Sequence, residues 1–172
     1  MQAILYNSNT GSAKSYANLL SDAVGLPAFS VKEAKRAIKK GSEVLYFGWV
    51  MASSVRGYRK AAKNYRVCAV AAVGMAATGT NTEIIREKNG LPRALPLFTL
   101  QGNFTPEKLA FPLRLMMRIA TDALQKKKDR TEEEEETLRL MRGGEDRVRA
   151  ENLAELLAWV RMQKDAHPSQ DL

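Results

Sequence analysis

Tyr6-Asn7-Ser8-Asn9-Thr10-Gly11-Ser12-Ala13-Lys14-Ser15 follows the apolar run Ala3-Ile4-Leu5 and decides how the rest of the chain is read. Ala3 to Tyr6 has the composition of a strand, and the hydroxyl- and amide-rich turn Asn7 to Ser12 breaks it. A helical pattern starts at once, because Ala13, Tyr16, Ala17, Leu20 and Val24 share one face at i, i+3, i+4, i+7 and i+11. Strand, polar turn and helix together make an anion site. The first N–H groups of a helix lack partners inside it, and the helix dipole adds partial positive charge there. Ser8, Thr10, Ser12 and Ser15 supply neutral hydroxyls, Asn9 an amide, and Gly11 lets backbone come close to a ligand. The plainer alternative is a capped helix after a surface turn.

The turn also excludes chemistry. It lacks the Gly-x-x-x-x-Gly-Lys-Ser of a nucleoside-triphosphate loop and the Gly-x-Gly-x-x-Gly of a dinucleotide fold. Lys14 falls at a spacing that turns it to solvent. A phosphate cradled by hydroxyls and amides, with no required cation, suits flavin mononucleotide (FMN).

Downstream, strand-like and helix-like segments alternate. Gly25-Leu26-Pro27 stops the first helix, Ala28 to Val31 is a short strand, and Lys32 to Lys40 is a basic helix with Ala34, Ala37 and Ile38 inward. Glu43 to Trp49 and Val67 to Val73 are near-continuous apolar runs, as expected of strands buried on both faces. Ser53 to Lys63 and Thr82 to Lys88 read as helices, and Leu95 to Leu100 as a further strand. Short connections between them predict an α/β fold with a parallel, doubly wound sheet. Ligands of such sheets gather beyond the carboxyl ends of the strands. Those ends are Asn7–Ser12, Gly48–Ser54, Gly74–Thr80 and Gln101–Thr105. Gly48, Trp49, Val50 and Met51 are candidates to cover a flat aromatic ring, Trp49 by stacking and Met51 by sulfur contact; the alternative is that Trp49 only plugs the sheet against a helix. Gly74, Met75, Ala76 and Ala77 would offer backbone groups to its polar edge.

The bulk numbers narrow the class. At 172 residues and 45% hydrophobic, the chain is long enough for one core and is neither disordered nor membrane-embedded. No apolar run reaches spanning length and the start has no basic leader, so a cytoplasmic protein is expected. One cysteine, Cys68, and one histidine, His167, exclude an internal disulfide, His/Cys metal sites and Cys–His catalysis. Cys68 reads as an inert core thiol and His167 as part of a surface tail over 165–172. The third loop carries no acidic cluster for Mg²⁺. Net charge is +8, spread along the chain with no RNP-like aromatic box or zinc-finger spacing, so nucleic acid is not the expected partner.

The last third departs from a minimal five-strand unit. Thr105-Pro106 starts a helix whose face is Leu113, Met116, Met117, Ala120 and Leu124. Thr131 with Glu134 forms a capping box before a run of five glutamates. Residues 126–142 read as a helical insertion, either a solvated excursion, a lid or a homodimer surface. A final helix over Ala150 to Lys164 turns Leu153, Leu156, Leu157 and Val160 inward.

These residues resemble those of flavodoxin-type FMN proteins over nearly the whole chain. Ser8-Asn9-Thr10-Gly11-Ser12-Ala13 is similar to the flavodoxin phosphate loop, with Ala13 replacing a hydroxyl residue, and Tyr46 to Val50 resembles the strand and loop beside the flavin. The resemblance implies a five-stranded parallel sheet in the order 2-1-3-4-5 with an extra helical segment before the last helix. It also implies an FMN-dependent electron carrier or oxidoreductase, working with a redox partner protein or a small-molecule or quinone acceptor. Gln101-Gly102-Asn103-Phe104, Leu115-Met116-Met117 and Gly143-Gly144-Glu145-Asp146 are similar to the subgroup containing the menaquinone-dependent protoporphyrinogen oxidases. That subgroup implies peripheral membrane contact, with Arg114 and Arg118 as candidate partners of an anionic substrate. Electron-carrier flavodoxins are acidic, whereas this chain is basic, which implies a less reducing flavin. Their outer-face tyrosine has no counterpart in Gly74–Thr80, leaving either Phe104 or Met75 to substitute or the face open to a substrate. A flavin-free binding module of the same fold is the alternative.

Overall fold

The computed structural model describes residues 1–103, 111–142 and 146–166. The strands are β1 (Ala3–Asn7), β2 (Ala28–Ser30), β3 (Glu43–Met51), β4 (Ser54–Val55), β5 (Arg66–Gly74) and β6 (Leu97–Gln101). The helices are α1 (Ser12–Val24), α2 (Val31–Ala37), α3 (Tyr58–Asn64), α4 (Thr82–Asn89), α5 (Phe111–Lys126), α6 (Glu132–Arg142) and α7 (Ala154–Ala166), the last entered through a 3-10 turn at Ala150–Leu153. Five strands form a parallel sheet in the order β2-β1-β3-β5-β6, with β4 antiparallel to β3 beside it. Taken alone, the five parallel strands keep the expected 2-1-3-4-5 order, and the fold is doubly wound α/β of flavodoxin-like type.

Strand residues alternate between two cores, as a sheet covered on both faces requires. Ile4, Leu45, Phe47, Ala69, Ala71 and Val73 pack under α1 and α7, with Tyr16, Leu20, Leu156 and Val160. Ala3, Leu5, Val44, Tyr46, Val70 and Ala72 face the other way, toward Ala34 of α2, Ala61 of α3 and Ile85 of α4. Leu153 is buried and Leu157 packs against the first core, as the final helix's spacing predicts. Gly25 closes α1 in a left-handed conformation with its N–H on Ser21 O at 2.8 Å.

Three sequence expectations are corrected. The strand after Gly41 runs on to Met51 and turns back through Ala52-Ser53 into β4, so the expected Gly48–Ser54 loop is mostly hairpin and α3 starts at Tyr58, not Ser53. Ala52 and Ser53 both have positive φ, 48° and 59°, the geometry of a tight two-residue hairpin. Glycine or asparagine usually supplies it, so nothing in the sequence announced the turn. Second, α2 ends at Ala37, because Ile38 swings to extended backbone and packs against the second core. Third, Cys68 is half-buried rather than in the core. Val44 pairs with Val67 and Leu45 with Ala69, which leaves Cys68 as the extra residue of a β-bulge.

Within the segment expected as extra, 126–142, α6 forms and packs against α5. The capping box forms: Thr131 N–H donates to Glu134 Oε2 at 3.0 Å, and Glu134 N–H to Thr131 Oγ1 at 3.2 Å. The stripe expected along one face of α5 is only partly covered. Met116 and Ala120 are exposed, while Met117 and Leu124 are half-buried; Leu113's side chain lies outside the described set. The Thr105-Pro106 helix start, Phe104, the Gly143-Gly144-Glu145 segment and His167 fall outside the described residues. No helix among the described residues is long and apolar enough to cross a membrane, and none of their His, Cys, Asp and Glu side chains cluster as a metal site.

Candidate functional site

The chain reverses direction across the sheet between β1 and β3, and the carboxyl ends of β1, β3, β5 and β6 meet a pocket of about 440 Å3 there. That is where open α/β sheets take ligands, and the volume lies in the range of small-molecule sites. Ser8, Asn9, Thr10, Ser12 and Ala13 line one end. Trp49, Val50, Met51 and Ala52 form one wall, and Val73, Gly74, Met75, Gly102, Asn103 and Met117 complete the lining. No charged side chain borders the pocket among the described residues.

The polar end is shaped by Gly11, whose φ of 112° and ψ of −29° suit glycine alone. Gly11 N–H donates to Ser8 Oγ at 3.1 Å, which folds the turn on itself. Among the described residues no side chain caps α1, whose first amides have no partner within the helix. Ser12 is buried, and its Oγ accepts Asn103 N–H at 2.9 Å. Its oxygen therefore ties the turn to the segment after β6. Ser15 is exposed and outside the lining; one helical position sets it on the wrong face. Gly11, Gly48 and Ala76 also stand outside the lining.

Gly48 has a packing role. A Cβ there would come 2.5 Å from Val55 Cγ1 and 2.9 Å from Tyr46 Cε1, so only glycine lets β4 lie against β3. The hairpin is anchored from α4. Asn89 Oδ1 accepts Val55 N–H at 2.8 Å, and Asn89 Nδ2 donates to Ser53 O at 2.8 Å and Ile85 O at 2.7 Å. These bonds hold the left-handed Ala52 and Ser53 in place, as strained backbone beside a site requires. Tyr46 hydroxyl donates to Arg56 O at 2.6 Å, and burial raises its pKa strongly, so it stays a neutral phenol.

Sequence reading missed a second set of residues. Asn103 gives its N–H to Ser12, donates from Nδ2 to Asp146 Oδ1 at 3.0 Å, and accepts Arg147 N–H on Oδ1 at 2.5 Å. That amide holds the Asp146 carboxyl below its ordinary pKa, helped by Val148 N–H. Tyr16 sits beneath. Its hydroxyl lies 2.5 Å from Gln101 O and 3.2 Å from Arg147 O and accepts Asn152 Nδ2 at 2.6 Å; burial is the main cause of its raised pKa. Gly102 is needed at the junction, since a Cβ would meet Val73 Cγ1 at 2.8 Å and Ser12 Cβ at 2.9 Å. In the sequence Asn103 stood out only within the strand-end loop Gln101–Thr105, and Asp146 only within the Gly143-Gly144-Glu145-Asp146 segment of the subgroup resemblance.

Arg114 and Arg118 border a separate groove of about 490 Å3 between α5 and α6, with Phe111, Leu115, Met141 and Arg142. Arg114 guanidinium stands over the Phe111 ring at 6.0 Å.

Compared with models of protein families and with curated proteins, the chain gives no significant match.

Proposed function

We propose that this chain binds FMN in the pocket at the β1/β3 reversal and acts in electron transfer or oxidoreduction as a flavodoxin-like protein. The observation that carries the reading is the pairing of two unlike ends in one pocket. A neutral turn of hydroxyls and amides lies at the uncapped start of α1, and an apolar wall of Trp49, Val50, Met51 and Met75 lies beside it. The first suits a phosphate, and the second suits a flat aromatic ring system. Ser8, Asn9, Thr10 and the first amides of α1 would hold the phosphate, with Ser12 fixing the turn. Trp49 and Met51 would flank the ring and exclude water from it; Gly74 would face its polar edge. FMN, when bound, supplies the redox chemistry, and the protein positions it.

The test is a titration with FMN and with riboflavin. Tight FMN binding with quenched flavin fluorescence, and riboflavin binding weaker by at least about 100-fold, is the expected result; each charge-assisted bond to phosphate contributes roughly 1.5–3 kcal/mol. Binding of neither would leave a flavin-free binding module of this fold.

A second reading keeps the same pocket and makes the chain a protoporphyrinogen dehydrogenase with a quinone acceptor at a membrane surface. One feature favours it. On α5, Phe111, Leu115, Met116 and Ile119 are 67%, 48%, 63% and 61% exposed, and Arg114 and Arg118 lie among them. An amphipathic helix with basic residues beside an apolar stripe suits an anionic lipid surface. Co-sedimentation with anionic vesicles, lost in Leu115→Asp/Ile119→Asp, is the expected outcome. A dimer that ignores vesicles and breaks in the same variant would instead make the stripe a homodimer contact.

A further inference from the structure

Ser8, Asn9 and Trp49 border a second concavity as well as the first, so they form a partition between the two. The second holds about 700 Å3. Its other walls come from β4, the Arg56-Gly57 turn, the first turn of α3 and the end of α4. Arg56, Arg59, Lys60 and Lys88 line it, and no carboxylate does among the described residues. None of these four forms a salt bridge among the described residues. Four cations gathered without a counter-charge repel one another, and a bound anion relieves that repulsion.

The frame under these cations is fixed. Arg56 O accepts both Tyr46 hydroxyl, at 2.6 Å, and Asn7 Nδ2, at 3.1 Å. Arg56 N–H donates to Trp49 O at 2.9 Å, and Asn89 holds Val55 and Ser53. The concavity also has an aromatic wall. Arg56 guanidinium lies over the Trp49 ring, 5.9 Å from its centroid, so the indole backs an exposed guanidinium on which a planar group could stack. Arginine suits both roles asked of it, since its planar fork stacks on rings and pairs with phosphate oxygens.

We propose that this basic concavity binds a phosphate ester of nucleotide size, with its base against Trp49 and Arg56 and its phosphates among Arg59, Lys60 and Lys88. A free inorganic anion would leave the aromatic wall and most of the volume unused. An acidic protein surface would meet the cations but has little to place in a concavity. The inference goes beyond the flavin reading and stands without it, because no residue unique to the first pocket takes part.

The experiment uses the full chain carrying Trp159→Phe, which leaves Trp49 as the one indole of the two in the sequence. Indole fluorescence is followed on adding ADP, pyrophosphate or adenosine, with and without FMN. The expected result is saturable quenching by ADP, weaker binding of pyrophosphate and adenosine, and loss of affinity as salt rises. Arg59→Glu/Lys60→Glu should weaken ADP by roughly tenfold or more while leaving the FMN titration and the melting temperature unchanged. Both side chains are exposed, so the fold tolerates the exchange. ADP affinity that ignores the charge reversal, or no ADP binding, overturns the proposal. Pyrophosphate binding as tightly as ADP overturns the nucleotide size. A polyglutamate peptide that binds where ADP does not, and is lost in the reversed variant, assigns the patch to an acidic protein instead. Charge-dependent ADP binding in a chain that ignores FMN would sink the flavin reading and leave this one standing.

Discussion

Gly11→Asp should weaken FMN binding by roughly 100-fold or more. Two effects act together. At φ 112° a side chain strains the backbone, at about 1–3 kcal/mol, and that strain falls on the turn that must meet the phosphate. The new carboxylate also stands at the uncapped start of α1, where it competes for the amides and repels a phosphate dianion. A loss of about 2.7 kcal/mol in binding corresponds to 100-fold. Fluorescence titration measures it, with Gly11→Ala as the control that carries strain without charge and keeps more of the affinity. Parent-like FMN binding by Gly11→Asp would show that no phosphate sits at this turn.

The second large effect falls on stability. Gly48→Ala should cost about 2–3 kcal/mol and lower the melting temperature by roughly 5–10 °C. The added methyl would stand 2.5 Å from Val55 Cγ1, 2.9 Å from Tyr46 Cε1 and 3.2 Å from Arg56 O. None of these can move freely. Val55 is buried with its N–H held by Asn89, and Tyr46 is fully buried with its hydroxyl bound to Arg56 O. The hairpin must lift instead, which moves Trp49 and Met51 out of the pocket wall, so FMN affinity falls with stability. Thermal unfolding of the two chains decides it; melting within a degree of the parent would mean that β4 does not press on β3 as described.

Local chemistry carried most of the fold. The apolar runs at β3 and β5, the α1 periodicity and the Thr131–Glu134 box are each written in a few adjacent residues, so each was legible. The hairpin was not, because Ala52-Ser53 takes a conformation that neither residue favours, and Asn89, 36 residues after Ser53, holds it there. Site residues divide in the same way. Ser8, Asn9, Thr10, Trp49, Met51 and Met75 line the pocket and were visible as strand-end residues. Ser12 looked like a free donor, but its oxygen already holds an amide from 91 residues away. The α5 stripe was legible as one face, but Met116 and Ala120 on it are exposed, because spacing gives a stripe without saying what, if anything, covers it.

The Tyr16–Asn103–Arg147–Asn152 cluster has a consequence in time. The Tyr16 hydroxyl alone joins Gln101, Arg147 and Asn152 across separations of 85, 131 and 136 residues, the most expensive kind to form early, whereas β1, α1 and β2 lie close together in sequence. The turn that would take the phosphate precedes α1, yet Asn103 braces it through Ser12, and Arg147 and Asn152 hold Tyr16 one helical turn on. A nascent chain would therefore carry this turn without its braces until Asn103, Arg147 and Asn152 have been made. In refolding, capture of FMN should lag the recovery of far-ultraviolet dichroism, and simultaneous recovery would show that the turn takes its shape unaided.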